Sequence, residues 1–346
     1  MTISQAATTM RSFVVTAPGV GEVREVALPI AGPGEVVVEV ERVGICGTDM
    51  ELFDGSMAYV ASGRTTYPIQ LGHEWSGRVT SLGAGVSAAW MGRRVIGDTM
   101  LGCQACRRCD KGYQHLCAHR VELGITDGRG GALAEQVVVP ASSLHGLPDH
   151  LDPALAALVE PGGNALRAAR AADLVAGETA LVAGPGTIGL LTAMFLRADG
   201  VQVHLLGATA DSLAFACSLG FENTWTADSM PDLALDAVID ATNHPSLPGR
   251  CVDLVEPGRR VVFIGLSGAP SLVDTRALAL KDVTAVGILS ASPGLAGAID
   301  SYASGDVDPR PLIAATVGLD AAAAVLSGGR PDGAGPGPKI HIDPRA

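Results

Sequence analysis

From residue 11 to about residue 150 the chain runs in short stretches where apolar and polar positions alternate. The clearest are Arg11–Thr16, EVVVEVERVGIC (35–46), WSGRVTSLG (75–83), GRRVIGD (92–98) and LAEQVVVP (133–140). Period-two alternation between Gly and Pro turns, with few long helical repeats, predicts a β-rich, barrel-like first domain behind a small polar tail at 1–9. The pattern changes near Pro153. PALAALVEPGGNALRAARAADL (153–174) predicts helix on both sides of a Pro161-Gly162-Gly163 break. ETALVAGPGTIGLLTAMFLRADG (178–200) then reads as apolar strand, Gly-rich turn and amphipathic helix. VQVHLLG, DSLAFACSLG, LDAVIDAT, RRVVFIGLSG and DVTAVGILS continue the alternation of strand and helix. That spacing predicts an α/β unit with a doubly wound parallel sheet. Beyond residue 294 come a helix (PGLAGAIDSYASG), the segment LIAATVGLDAAAAVLSG and a last strand, KIHIDP, which suits a return to the first domain.

Composition narrows the picture. A chain of 346 residues, 47% of them hydrophobic, is long enough for two domains with buried cores and is not disordered. Its 44 Gly and 21 Pro lack a triplet period, so they mark turns, not a fibre. The formal net charge of −12 excludes a globally basic surface of the kind a sequence-blind nucleic-acid binder needs. No apolar run reaches the ~18–20 residues that span a bilayer, so no membrane association is expected. MTISQAATTMRS carries neither the basic nor the apolar region of a secretory signal, and a cytoplasmic location is the expectation.

In a reducing compartment the seven cysteines are not expected to form disulfides. Four of them have the spacing Cys103-x2-Cys106-x2-Cys109-x7-Cys117. Thiolates two residues apart converge on one tetrahedral ion and the longer loop brings in the fourth, which makes a closed, structural zinc site. The bacterial iron–sulfur run ends in x3-Cys-Pro, absent here. His115 and His119 beside Cys117 are read as surface residues. A second constellation is Cys46-Gly47-Thr48-Asp49 with Gly72-His73-Glu74-Trp75, and Glu160-Pro161 much later. Thiolate, imidazole and carboxylate together make a mixed site of the kind that leaves a position open for water or substrate. The third is Gly184-Pro185-Gly186-Thr187-Ile188-Gly189, set between strand and helix, where backbone and helix N-terminus cradle a pyrophosphate. An acidic residue that would hold the adenosine ribose is missing at the end of the next strand, where Gly207-Ala208-Thr209 stands. A carboxylate there would repel a 2′-phosphate, so its absence tilts the expectation from NAD towards NADP.

In this order the three motifs resemble the zinc-dependent medium-chain dehydrogenase/reductase family over nearly the whole chain. The likeness is greatest to the polyol, sugar and threonine dehydrogenases, which carry a Glu after the zinc-binding His and an EP segment like Glu160-Pro161. The resemblance implies a groES-like catalytic domain (1–153 and 295–346, with a structural zinc lobe at about 97–120) around a Rossmann domain (154–294). It implies two zinc ions per chain. Cys46 and His73 would be catalytic ligands, Glu74 and Glu160 carboxylates that bind zinc or hold its water, and Cys103, Cys106, Cys109 and Cys117 structural ligands. Thr48 would take the alcohol's proton while the nicotinamide takes the hydride. Gly184, Pro185, Gly186, Thr187, Ile188, Gly189, Gly207 and Thr209 would contact the dinucleotide. The family's usual relay His is replaced here by Glu51, which makes proton escape through Glu51 an expectation of its own.

The Glu51–Tyr59 loop and Trp75 are expected to line the substrate cleft. The loop's carboxylates and hydroxyls favour a sugar, polyol, cyclitol or aminocyclitol over a long aliphatic alcohol. The alternatives are an amino-alcohol (threonine-type) or simple secondary alcohol dehydrogenase, and, more remotely, a non-catalytic dinucleotide-binding protein. Family members imply a homodimer or homotetramer.

Overall fold

The computed structural model describes residues 8–126 and 128–346. The expected polar tail lies outside them up to residue 7, and Thr9 already opens the first strand, Thr9–Ala17. The chain divides into two compact units. One comprises the chain up to Glu160 together with Ile313–Gly335 and Lys339–Ala346; the other comprises Pro161–Leu312 and Pro336–Pro338.

The first unit is β-rich. Strand Glu35–Gly44 lies inside a seven-stranded sheet, antiparallel to Glu74–Leu82 and to Gln136–Pro140. The last strand, Lys339–Asp343, runs antiparallel to Glu35–Gly44, with His341 opposite Gly44, and parallel to Ile313–Gly318. Val36, Val38 and Val40 are fully buried, and they join Phe13, Trp75, Val95, Leu133, Ile340 and Ile342 in one core. Each such side chain contributes about 1.5–3 kcal/mol on burial. Trp75 is a core residue, 2% exposed, and not the cleft-lining residue its position beside Glu74 suggested. Its ring fills the space next to Gly97, where a Cβ would come within 2.4 Å of it. It points to the core because residues on either side of a strand residue face the opposite side of the sheet.

The second unit has a six-stranded, all-parallel sheet in the order Thr224–Trp225, Gln202–Leu206, Thr179–Ala183, Leu235–Asp240, Val255–Phe263, Thr284–Gly287. The strands Thr179–Ala183 and Leu235–Asp240 are almost wholly buried, as strands covered on both faces are. Two expectations change here. Pro161-Gly162-Gly163 does not break a helix: one helix runs Val159–Ala171, and the interruption lies at Leu158, after helix Pro153–Ala157. Proline in a first helical turn gives up an N–H that has no intrahelical partner there. The two glycines let Tyr302 and Ala291 approach closely, since added Cβ atoms would lie 2.2 Å from the Tyr302 hydroxyl and 3.0 Å from Ala291. The second difference is the return to the first unit, which comes at Ile313 and not near residue 295. Helix Leu295–Ser304 stays with the parallel sheet because Tyr302 stacks on Phe195 at 6.1 Å and Gly297 lies against Leu166. Among the described residues no helix is long and apolar enough to cross a membrane.

Candidate active site

Cys46 ends the extended segment after Glu35–Gly44 and stands at the N-terminus of helix Gly47–Asp54. Its backbone N–H donates to Asp49 Oδ2 at 3.0 Å, and the Gly72 N–H donates to Oδ1 at 3.2 Å. Asp49 thereby ties the cysteine segment to the histidine segment, and its Oδ1 also lies 3.2 Å from His73 Nδ1. Burial alone would push the Asp49 carboxyl up, but His73 and the two backbone donors outweigh it and hold it below its ordinary value. Burial likewise works against a charged His73, and the Asp49 charge overrides it to raise the imidazole well above its usual pKa. The field that favours a proton on the ring also favours a cation beside it.

Glu74 follows His73 and lies opposite Gly44 across the sheet. A Cβ on Gly44 would sit 2.3 Å from Glu74 Oε2, so only glycine leaves room for this carboxylate. The Lys339 ammonium donates to both Glu74 oxygens, at 3.0 and 2.7 Å. Burial would lower the lysine's pKa; Glu74, with Cys46 and Asp49 behind it, keeps it raised. Glu160 is buried in the first turn of its helix, and burial pushes its carboxyl up to about 7, with His73 and Lys339 opposing and Glu74 adding to the rise. Thr48 and Glu51 occupy the first and second turns of helix Gly47–Asp54, both half-buried. Burial, reinforced by Asp54, raises the Glu51 carboxyl.

The ligand atoms of Cys46, His73 and Glu74 lie within 4.8 Å of one another. Thiolate, imidazole and carboxylate are the donors that zinc takes in catalytic sites, so these residues fit such an ion. In the second cluster the four cysteine sulfurs also converge within 4.8 Å. Cys106 Sγ lies 3.7 Å from Cys109 Sγ and 3.8 Å from Cys117 Sγ. A tetrahedron of sulfurs at the ordinary zinc–thiolate distance of about 2.3 Å has an edge of about 3.8 Å. The Cys103 backbone N–H, with that of His119 at 3.3 Å from the sulfur, outweighs burial and brings the Cys117 thiol down to about 6. His119 is exposed as expected, but His115 is buried at 3%, edge-on to the Tyr113 ring. It sits in a short 3-10 turn, Gln114–Leu116, that tucks its ring beneath the loop.

In the second unit Gly184 adopts a φ of +91°, and a Cβ on Gly189 would lie 1.9 Å from the Gly184 carbonyl oxygen. A Cβ on Gly186 would meet nothing within 4 Å, which leaves an open approach at the start of helix Thr187–Ala198. This is the backbone that a dinucleotide pyrophosphate needs. Pro185 sits beside Gly207, at 3.1 Å from where a Cβ would stand, and Ile188 opens the helix with Thr187. Gly207 follows strand Gln202–Leu206, and Thr209 caps helix Ala210–Ser218 by accepting the Ser212 N–H at 3.3 Å.

Residues 32–149 match the alcohol dehydrogenase GroES-like domain, and residues 187–303 match the zinc-binding dehydrogenase domain. An L-threonine 3-dehydrogenase of Saccharopolyspora erythraea is 33% identical over 291 residues, covering 81% of this chain and 83% of its own. This chain belongs to the zinc-dependent alcohol dehydrogenases of the medium-chain dehydrogenase/reductase family. An alcohol dehydrogenase from E. coli CFT073, solved with NADH, superposes with a TM-score of 0.88 at 26% identity, covering 97% of this chain and all of that one. A zinc-binding dehydrogenase from Sinorhizobium meliloti 1021, solved with NADP, gives 0.87 at 28% identity, covering 98% and 100%. The dehydrogenase is thus an NAD(P)-dependent enzyme acting on the CH–OH group of an alcohol, with a groES-like unit and a Rossmann unit.

Two residues of this dehydrogenase's site had no assignment from sequence. Asp49 was visible only as part of the Cys46-Gly47-Thr48-Asp49 string, and an acid in the first turn after a candidate ligand is the signal that could have found it. Lys339 gave none beyond being one of three lysines in the chain, set in a last strand, KIHID, whose alternation says nothing of its partner.

Proposed function

We propose that the dehydrogenase oxidises a secondary hydroxyl of a polyhydroxylated substrate (a sugar, polyol, cyclitol or aminocyclitol), with NADP favoured over NAD. The observation that carries this reading is the convergence of the ligand atoms of half-buried Cys46 with those of buried His73 and Glu74, with the Glu160 carboxyl under the influence of His73 and Glu74. These four residues are taken as the catalytic zinc set, and Cys103, Cys106, Cys109 and Cys117 as a second, structural set. When bound, zinc supplies Lewis acidity at the alcohol oxygen and the nicotinamide accepts the hydride. The protein's own residues do the rest. The Asp49 carboxylate, 3.2 Å from His73 Nδ1, sets a negative charge behind the ring, as carboxylates behind metal-binding histidines do. Thr48 Oγ1 accepts the substrate's hydroxyl proton, and Glu51, one turn further along the same helix, passes it to solvent. Gly184, Pro185, Gly186, Thr187, Ile188 and Gly189 receive the pyrophosphate. Gly207 and Thr209 present no carboxylate to a ribose 2′-phosphate.

The substrate class rests on the loop after Glu51, where Asp54, Ser56 and Tyr59 offer partners for hydroxyl groups. An amino-alcohol is the second reading, favoured by the likeness to a threonine dehydrogenase. A homodimer or homotetramer and a cytoplasmic location complete the proposal, the latter because thiols arranged for zinc require a reducing compartment. Metal analysis with a substrate screen tests it. Two zinc ions per chain are expected, with oxidation of polyols, cyclitols or amino alcohols in the presence of NADP. One zinc or none, or a preference for plain secondary alcohols with NAD, would overturn it.

A further inference from the structure

A further buried carboxylate lies in the segment that packs on the backbone of Gly72 and His73. Glu122 is 3% exposed, in the two-residue strand Val121–Glu122 that pairs with Met100–Leu101. Every hydrogen bond the structure gives its side chain, among the described residues, falls on one oxygen. Oε1 accepts from Arg120 Nε at 3.1 Å, from Arg64 Nη2 at 3.4 Å and from the Tyr59 hydroxyl at 3.4 Å. The Arg64 guanidinium also lies over the Tyr59 ring at 4.2 Å, which fixes both donors. An ionised carboxylate has about four acceptor positions, and burying one with half of them idle is costly.

Backbone contacts tie this group to the metal-ligating segment. Thr99 donates its hydroxyl to the His73 carbonyl at 3.3 Å and accepts the Leu123 N–H at 3.0 Å. Gly124 packs so closely on Gly72 that a Cβ would lie 2.8 Å from its carbonyl oxygen. Through Thr99 and Gly124 the Glu122 segment is therefore held against the backbone of Gly72 and His73. Tyr59, in the short helix Ala58–Ala61, and Arg64 both follow helix Gly47–Asp54, so one carboxylate ties the segment after Thr48 and Glu51 to the strand Val121–Glu122.

We propose that Glu122 is a specificity-determining residue whose second oxygen accepts a hydrogen bond from a hydroxyl or ammonium group of the substrate away from the reacting carbon. This rests on the polyhydroxylated or aminated substrate class proposed above. Arg120, Arg64 and Tyr59 hold the carboxylate through Oε1 and leave Oε2 for the substrate. A site built around a buried acceptor rejects analogues that lack the matching donor, because the acceptor is then left unpaired.

The test compares wild-type holoenzyme with E122Q and E122L on a hexitol, an inositol, L-threonine and 2-butanol. In E122L the ratio of kcat/KM for the best polyhydroxylated or aminated substrate to that for 2-butanol should fall tenfold or more, chiefly through KM. E122Q keeps an acceptor oxygen and should lose less on a hydroxyl donor than on an ammonium donor. If E122L does not fold, judged by zinc content and thermal unfolding, E122Q alone decides. A ratio unchanged within twofold in a folded, zinc-loaded variant would reduce Glu122 to a loop clamp and overturn the inference alone. A wild-type preference for 2-butanol over every other substrate would overturn the substrate class and this inference together.

Discussion

Lys339 Nζ closes on both oxygens of the Glu74 carboxylate and takes the Ile45 carbonyl, at 2.8 Å, as its third acceptor. All three ammonium hydrogens are thus used, in a pair whose side chains are 3% and 2% exposed. Ile45 adjoins Cys46, so one lysine positions the Glu74 carboxylate and braces the backbone beside Cys46.

Removing one member of such a pair leaves a buried charge uncompensated, which costs about 3–5 kcal/mol. K339M should therefore lower the unfolding free energy of the zinc-loaded protein by that amount, read from urea titrations. The double variant K339M/E74Q should recover at least half of the loss. If the double variant is no more stable than K339M, the two residues are not coupled.

The four-cysteine lobe has little apolar support. From Cys103 to Gly112 no residue is fully buried. Its order should depend on the ion, as in small zinc modules that fold only with metal. C109S should reduce zinc content by about one per chain and open the 102–120 segment to limited proteolysis. Proteolytic resistance equal to wild type after that loss would show that packing alone holds the lobe.

Glu51 can accept a proton only when ionised, and burial with Asp54 nearby raises its pKa above the ordinary carboxylate value. Alcohol oxidation should therefore slow as pH falls through that raised value. E51Q should lower turnover and flatten this acidic limb of the kcat profile. An unaltered pH profile in E51Q would remove the residue from the proton path.

His341 is fully buried, and among the described residues neither ring nitrogen has a hydrogen-bond partner. Burial, with Lys339 and Arg42 adding to it, lowers its pKa to about 3. The unfolded chain binds a proton near pH 6.5 that the native state refuses until about pH 3, so stability should fall as pH drops through that window. The slope is at most about 1.4 kcal/mol per pH unit. H341L removes the group, and its urea midpoint should change less between pH 7 and pH 5 than that of the parent. Equal pH dependence in the two proteins would assign the acid loss elsewhere.

What could be read from the sequence was what lies close along the chain. The cysteine spacing and the Gly184–Gly189 turn are local, and the order of strand and helix needs only windows of a dozen residues. Pro161 misled because a proline ends a helix in its interior and is harmless in its first turn. Trp75 and His115 misled because each adjoins a candidate ligand in sequence, whereas strand alternation sends Trp75 to the core and a tight turn buries His115. Lys339 could not be assigned because its acceptors, Glu74 and Ile45, are 265 and 294 residues away. Only the pairing of the last strand with Glu35–Gly44 brings them together.

That pairing also bears on the order in which the protein assembles. Joining His341 to Gly44 closes a loop of nearly 300 residues, and contacts of such span form slowly because the chain must surrender its freedom before they reward it. The Rossmann unit lies inside that loop and is built from neighbouring strand–helix–strand segments, so it can condense first and shorten what remains to be closed. Glu74 then acquires its counter-ion only in the final step. Until that step Glu74 stands without Lys339, and a metal ion captured early by the proposed Cys46, His73 and Glu74 set would meet a carboxylate whose charge nothing offsets.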